Sequence, residues 1–267
     1  MLTTLEFAPD AAPEQIADQV RAVWRDSKVI HITGVKPDGD LRDYYWRFFE
    51  DVGVPMALAE DATIGDRDSQ RTGSYWAEVR YDPAVPDAYR HSANAQPLHT
   101  DGAYTSPDSV QVEASPNAVG TGFLGCVAMP ANGGATTFID AVDVYNTMHD
   151  EAPELLEQLQ ATDVPHARSG DRKVAKVIEM KGGLPVVNWN YYCVDADAGN
   201  EVKSLGEQFF RFLERSPGIA ANLQRVKLSP GDAVIWKDDY VLHGRDSFDP
   251  ERTSARFLWK TSLLIDA

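Results

Sequence analysis

The apolar positions of the chain follow two rhythms. Ile16, Val20, Val23 and Trp24 recur at helical spacing through EQIADQVRAVWRD, and the run KVIHIT from Lys28 then reads as a short buried strand. A second helix follows in LRDYYWRFFEDVG. Its broad face is Leu41, Tyr44, Tyr45, Phe48, Phe49 and Val52, and Gly53 is suited to end it. From Ala57 to Ala95 the sequence is polar, rich in Arg, Asp and Pro and broken by aromatics, which predicts loop and edge strand of the kind that covers a site. Short apolar stretches separated by SPDS, SPN and PANGG predict strands from Leu98 to Ile139. Helical spacing returns around YNTMHDEAPELLEQLQ and in EVKSLGEQFFRFLERS, where Val202, Leu205, Phe209 and Leu213 fall in phase; GGLPVVNWNYYCV between them is β-like. The tail reads as the strands RVKL, AVIW, YVLHG and ARFLWKTSLL, with a turn at Pro230 to Asp232.

No repeat or low-complexity linker divides the chain. The pattern predicts one mixed domain, mainly a β-barrel or sandwich buttressed by helices. It has a helical N-terminal part at about 10–55, a loop or lid at about 57–95 and a β core at about 96–265.

Charge narrows the partners. The 25 Lys and Arg against 41 Asp and Glu give a formal charge of −16, which repels nucleic acid and anionic membranes and favours a small-molecule partner. Cys126 and Cys193 sit in apolar or aromatic stretches with no CxxC spacing, as reduced core thiols do. The N-terminus has no basic region followed by an apolar one, and no apolar run reaches the roughly 18 residues of a membrane helix, so a cytoplasmic protein is expected. Monomer and homo-oligomer remain open, because six Trp can cover an interface or fill a core.

Candidate chemistry begins at QPLHTDGAY. Side chains alternate along a strand, so His99 and Asp101 can point at one ion while Thr100 faces away. Two imidazoles and one carboxylate leave open positions on a redox iron, and His243 in VLHGRDSF is the natural third ligand. His31, in an early apolar strand, competes poorly, as do His91, His149 and His166. A His or Asp at a strand end is also an ordinary hydrogen-bonded residue. In the last strand, alternation puts Phe257 and Trp259 on one face and Arg256, Leu258 and Lys260 on the other. With the aromatics against helices, Arg256 points inward and needs an anion. That anion is either an internal Asp or Glu, or a small dicarboxylate.

HTD, a His more than a hundred residues later, and RFLWK starting thirteen residues beyond that His resemble the iron(II) and 2-oxoglutarate-dependent dioxygenases of the taurine dioxygenase (TauD/TfdA) superfamily. The likeness runs from about Leu98 to Leu264. GGATT stands where that family has GGDT, with Ala135 in place of Asp, and resembles the carbapenem synthase-like members. The resemblance implies a double-stranded β-helix core of the jelly-roll, cupin-like type. It implies iron(II) on His99, Asp101 and His243, and 2-oxoglutarate on Arg256 and Thr136, with Thr137 a second choice. The implied reaction consumes O2, releases succinate and CO2, and oxidises an unactivated C–H bond, most simply by hydroxylation; desaturation, epimerisation and ring closure share its first step. Retention of Asp101 disfavours halogenation.

The family also implies that Lys260, four residues after Arg256, meets an anionic group of the substrate. Tyr104, Asn188 and Asn190, with Arg71 and Arg80 in the lid beside Trp76 and Glu78, are further pocket candidates for a polar, amino-acid-like substrate or a natural-product intermediate. Two readings of another class remain: a barrel using the same three ligands for a non-redox metal, and a small-molecule-binding barrel without metal.

Overall fold

Two sheets face each other across an apolar interior, and side-chain alternation along their strands decides what enters it. The structure, a computed structural model, describes residues 1–56, 75–84, 90–105, 118–168, 170–250 and 256–266. The larger sheet runs β1 (Leu2–Glu6), β2 (Val29–Thr33), β13 (Ala233–Lys237), β6 (Ala118–Ala128), β15 (Phe257–Asp266) and β3 (Val54–Met56), with β4 (Ala77–Arg80) also paired to β15. Only the β1–β2 pair is parallel among these described strands. The smaller sheet is antiparallel, in the order β12 (Gln224–Val226), β7 (Thr136–Asp140), β14 (Val241–Arg245) and β5 (Gln96–His99).

Between the sheets lie Val29, Leu124, Cys126, Val234, Trp236 and Leu258 from one side and Phe138, Val226 and Val241 from the other. One residue along, the side chains leave the sandwich. Ala233, Ile235, Phe257 and Trp259 pack under α1 (Pro13–Trp24) and α2 (Leu41–Val52). Ile139 and Leu242 pack under α3 (Ala141–Glu151), α4 (Pro153–Ala161) and α5 (Asn200–Arg215). Each large apolar side chain so buried contributes about 1.5–3 kcal/mol, which makes the three clusters the main stabilising term. Both cysteines are buried, and neither forms a disulfide among the described residues.

The helical and strand patterns hold for these elements, with four differences. Leu2–Glu6 forms a strand that the polar TT pair obscures, and it extends the large sheet beside β2. The helix expected around 145–160 is two helices, because Pro153 lacks an N–H and turns Ala152 out of the helical region, to φ −150° and ψ 57°. Two hairpins, β8 (Asp163–Arg168) with β9 (Asp171–Lys176) and β10 (Ile178–Lys181) with β11 (Leu184–Val187), flank the sandwich, the first of them in a stretch with no clear sequence period. A short helix, α6 (Pro217–Asn222), follows α5. Gly53 ends α2 through close approach: a Cβ there would lie 2.4 Å from Leu264 O. The described part of the lid supplies the expected edge strand, β4; residues 57–74 and 85–89 lie outside the described residues.

On β8, Val164 and His166 point inward and are fully buried. His166 Nε2 has no hydrogen-bond partner among the described residues, and Nδ1 lies 3.4 Å from Asn188 Nδ2. Burial pulls its pKa down to about 4. An unfolded histidine titrates near 6.5, so between those values the unfolded chain holds the extra proton and stability falls as pH falls. The loss is complete near pH 4, absent above pH 7, and on the order of 3 kcal/mol. His166→Gln is expected to flatten this part of the stability–pH curve, read from urea midpoints at pH 7.5 and 5.

Candidate active site

The site is built at one end of the sandwich by residues sharing the interior face. Leu98 packs outward with the α3–α5 cluster, so His99 points in; Val241 and His243 share the inner face of β14. The two histidines are direct partners across the β5–β14 ladder, with ring centroids 4.2 Å apart. The strand ends at His99. Thr100 stays extended (φ −110°, ψ 142°) and buries its hydroxyl against the Trp189 backbone, which turns Asp101, first residue of a 3-10 turn, back toward the histidines. Ligand atoms of His99, Asp101 and His243 all lie within 4.8 Å of one another. His99 Nε2 is 3.8 Å from Asp101 Oδ1, and His243 Nε2 is 3.7 Å from Oδ2.

Protonation suits a cation at that point. His99 Nδ1 lies 2.8 Å from Pro97 O, a group that only accepts, so Nδ1 carries the proton and Nε2 the lone pair. Burial lowers the pKa of both imidazoles, with His243 well below the ordinary range. Burial alone would raise the Asp101 carboxyl, but the Lys260 ammonium, then His243 and His99, hold it below the usual carboxylate range. The carboxylate is therefore ionised between two neutral rings. Its Oδ2 is buried without a hydrogen bond among the described residues, an orphaned acceptor that a metal ion would satisfy.

Arg256, two residues before the interior side chain of Leu258, is buried on the same face. Its guanidinium is fully buried, with Nε donating to Gly134 O at 3.0 Å and Nη2 to Thr136 Oγ1 at 3.3 Å. No carboxylate among the described residues pairs with it, so the internal ion pair that alternation left open is not formed there. Burial, then the charge of Arg245, bring its pKa down to about 9. The Gly-Gly turn makes this cradle: Gly133 has φ +72°, and a Cβ on it would lie 2.1 Å from Ser247 O. Thr136 is the threonine at Arg256, whereas Thr137 Oγ1 lies beside Gly244.

The other pocket candidates divide. Asn188 Nδ2 donates to Ala103 O at 3.2 Å, in the turn that carries Asp101. Asn190, two residues on, is buried with Oδ1 unpartnered among the described residues, while Trp189 between them belongs to the α3–α5 core. Tyr104 follows the same turn; burial, with Arg168 opposing it, raises its pKa to about 12. Lys260 shares the Arg256 face, but the anion at its ammonium is Asp101 Oδ1, 2.6 Å away. Arg80 is not brought to the triad. It pairs with Phe257 across the ladder, lies on the aromatic face, and is bound to Glu78 at 3.0 Å; Trp76 is core on that side. Arg71 lies outside the described residues.

Two site residues escape the sequence reading. Arg245 shares the His243 face by alternation and donates to Ser92 O (2.8 Å) and Asn94 O (2.6 Å), which ties down the approach to β5. Asp238 is buried beside Asp101 and His243; burial, then the Asp101 charge, raise its pKa to about 7. The DD pair ahead of YVLHG is its only trace in the sequence.

An ionised carboxylate between two neutral imidazoles is the ligand set of non-haem iron oxygenases, and Arg256 on the same interior face has no carboxylate partner among the described residues. Comparison with known proteins agrees. The sequence profile of the taurine catabolism dioxygenase TauD, TfdA family matches residues 6–261, and the chain belongs to that family. Its core is the family's jelly-roll, and His99, Asp101 and His243 form a candidate metal site within it. A uridine-5'-phosphate dioxygenase from Streptomyces sp is 26% identical over 176 residues, which are 61% of this chain and 60% of that protein. The match thus spans about three-fifths of the curated relative. Among solved structures, asparagine oxygenase in complex with Fe(II), 2S,3S-3-hydroxyasparagine and succinate has a TM-score of 0.69 at 16% identity, over 94% of this chain and 80% of that one. PvcB from Pseudomonas aeruginosa has 0.64 at 17%, over 100% and 88%. At such identities the likeness is one of fold. No helix among the described residues is long and apolar enough to cross a membrane.

Proposed function

We propose that His99, Asp101 and His243 hold iron(II), that Arg256 and Thr136 hold the distal carboxylate of 2-oxoglutarate, and that the enzyme hydroxylates an unactivated C–H bond of a small polar metabolite in the cytoplasm, with succinate and CO2 as coproducts. The observation that carries this reading is the buried Oδ2 of Asp101, without a hydrogen bond among the described residues, on a carboxylate that the Nε2 atoms of His99 and His243 approach to 3.8 and 3.7 Å. The iron would supply O2 activation coupled to decarboxylation of the 2-oxo acid. The chain's own part is orientation and exclusion of water. Burial keeps His99 and His243 neutral and able to donate. Arg256 offers its remaining N–H donors to a carboxylate in a dry site, where a charge-assisted pair is strongest.

Asn188, Asn190 and Tyr104, beside the Asp101 turn, offer amide and hydroxyl groups to a polar substrate. Two relatives act, by name, on asparagine and on a uridine phosphate, which supports a small polar metabolite, amino-acid-like or a natural-product intermediate. The test is anaerobic titration of the apoprotein with Fe(II) and 2-oxoglutarate, in the parent and in Arg256→Met. The expected result is a weak visible charge-transfer band that needs far more 2-oxoglutarate in the variant. Metal uptake with no band would overturn the cosubstrate assignment, and no metal uptake would overturn the whole reading. Succinate release across a library of amino acids and nucleotides then identifies the substrate.

A further inference from the structure

Between the strand of Trp236 and the strand of His243 the chain makes one 3-10 turn, Asp238–Tyr240, whose first side chain is buried. Asp238 Oδ1 accepts from the Asp101 backbone N–H (3.1 Å) and from Trp236 Nε1 (3.1 Å). Oδ2 accepts from the Gly102 backbone N–H at 2.8 Å. Oδ1 also faces His243 Nδ1 at 3.8 Å, a ring nitrogen with no hydrogen-bond partner among the described residues. One carboxylate thus meets groups on three separate stretches of chain, two of which carry the triad.

The β5–β14 ladder cannot do this work. It fixes His99 opposite His243 and stops there, so Asp101 lies beyond the last strand pair, in a turn whose first two N–H groups would be orphaned. Asp238 takes both. A second buried carboxylate close to Asp101 is electrostatically unfavourable, and simple packing would be served better by an apolar side chain. Its position is explained if it organises the ligands.

We propose that Asp238 is a positioning residue for the iron site: it pins the Asp101 turn through two backbone N–H groups and faces the outer nitrogen of His243, so that both ligands are aimed before the metal arrives. This rests on the iron reading above. Such outer-shell partners typically account for about 10–100-fold in metal affinity.

The test uses Co(II), whose visible bands report affinity and geometry without turnover. Asp238→Asn is informative because its amide keeps one acceptor oxygen and must set an NH2 against an N–H donor. The expected result is a Co(II) dissociation constant raised about 10–100-fold and an altered band pattern. Val20→Ala in α1, remote from the site and destabilising through the helix–sheet core, is expected to keep the parent affinity and spectrum. Parent-like Co(II) binding in Asp238→Asn, or an equal loss in Val20→Ala, would overturn the positioning role while leaving the iron reading intact. A parent that takes up no Co(II), or a His99→Ala variant that binds as tightly as the parent, would overturn both. If Asp238→Asn fails to fold, amide exchange in the parent apoprotein decides: slow exchange at Asp101 and Gly102 supports the clamp, and exchange at loop rates overturns it.

Discussion

His243→Ala is expected to abolish iron uptake and 2-oxoglutarate turnover while leaving a folded protein. Loss of a direct ligand should exceed the roughly 10–100-fold cost in affinity of losing an outer-shell partner. The fold survives for a specific reason. His243 sits between Trp236, 4.6 Å away by ring centroids, and His99, and its Nδ1 is already without a hydrogen bond among the described residues. Truncation opens a cavity, at about 3–5 kcal/mol for a ring of this size, but also removes an unsatisfied buried nitrogen worth about 1–3 kcal/mol. A net destabilisation of about 2 kcal/mol is expected. Iron per chain after anaerobic loading, beside thermal unfolding with and without Fe(II), checks it. The parent midpoint should rise with metal and the variant midpoint should not. A variant that still loads one iron per chain would remove His243 from the ligand set.

How much of this site could be read in the sequence depends on which physical rule places each residue. Alternation places a side chain on a face without knowledge of the partner strand, so the convergence of His99 with Asp101 and the shared face of Arg256, Leu258 and Lys260 were legible. The rule worked for Asp101 even though β5 ends at His99, because Thr100 keeps an extended backbone. Helical spacing gave α1, α2 and α5 for a similar reason: burial of one face is a local pattern.

Pairing between distant segments is not local. Nothing in KDDYVLH distinguishes Asp238, whose donors come from residues 101 and 102, from Asp239, whose carboxylate is half-exposed beside Lys181. Lys260 shows the same limit. Its face was foreseeable, but its partner depended on how close the Asp101 turn comes to β15. The face that Arg80 takes, opposite Phe257, was not legible because the polar lid gave no period from which to choose one.

Arg256→Met separates function from stability more sharply than any other substitution here. Each charge-assisted hydrogen bond to a carboxylate is worth about 1.5–3 kcal/mol, so loss of a bidentate grip should raise the 2-oxoglutarate requirement about 100- to 10,000-fold. Iron uptake should be unchanged, because no triad atom is bonded to Arg256. In the apoprotein the guanidinium is a buried cation bonded, among the described residues, to a carbonyl and a hydroxyl and to no carboxylate, a placement that costs stability until an anion arrives. Methionine fills similar space without the charge. The apo variant is therefore expected to unfold at the parent temperature or above it, while 2-oxoglutarate at 100 times the parent Kd stabilises the parent by about 2.7 kcal/mol and the variant by very little. Thr136→Val, which removes one neutral hydroxyl from the same cradle, should raise the requirement only about 3- to 10-fold. Calorimetry of apoprotein and iron-loaded protein with increasing 2-oxoglutarate measures all three quantities. An apo variant markedly less stable than the parent would mean that Arg256 is built into the fold, and that the energetic case for a cosubstrate anion is lost.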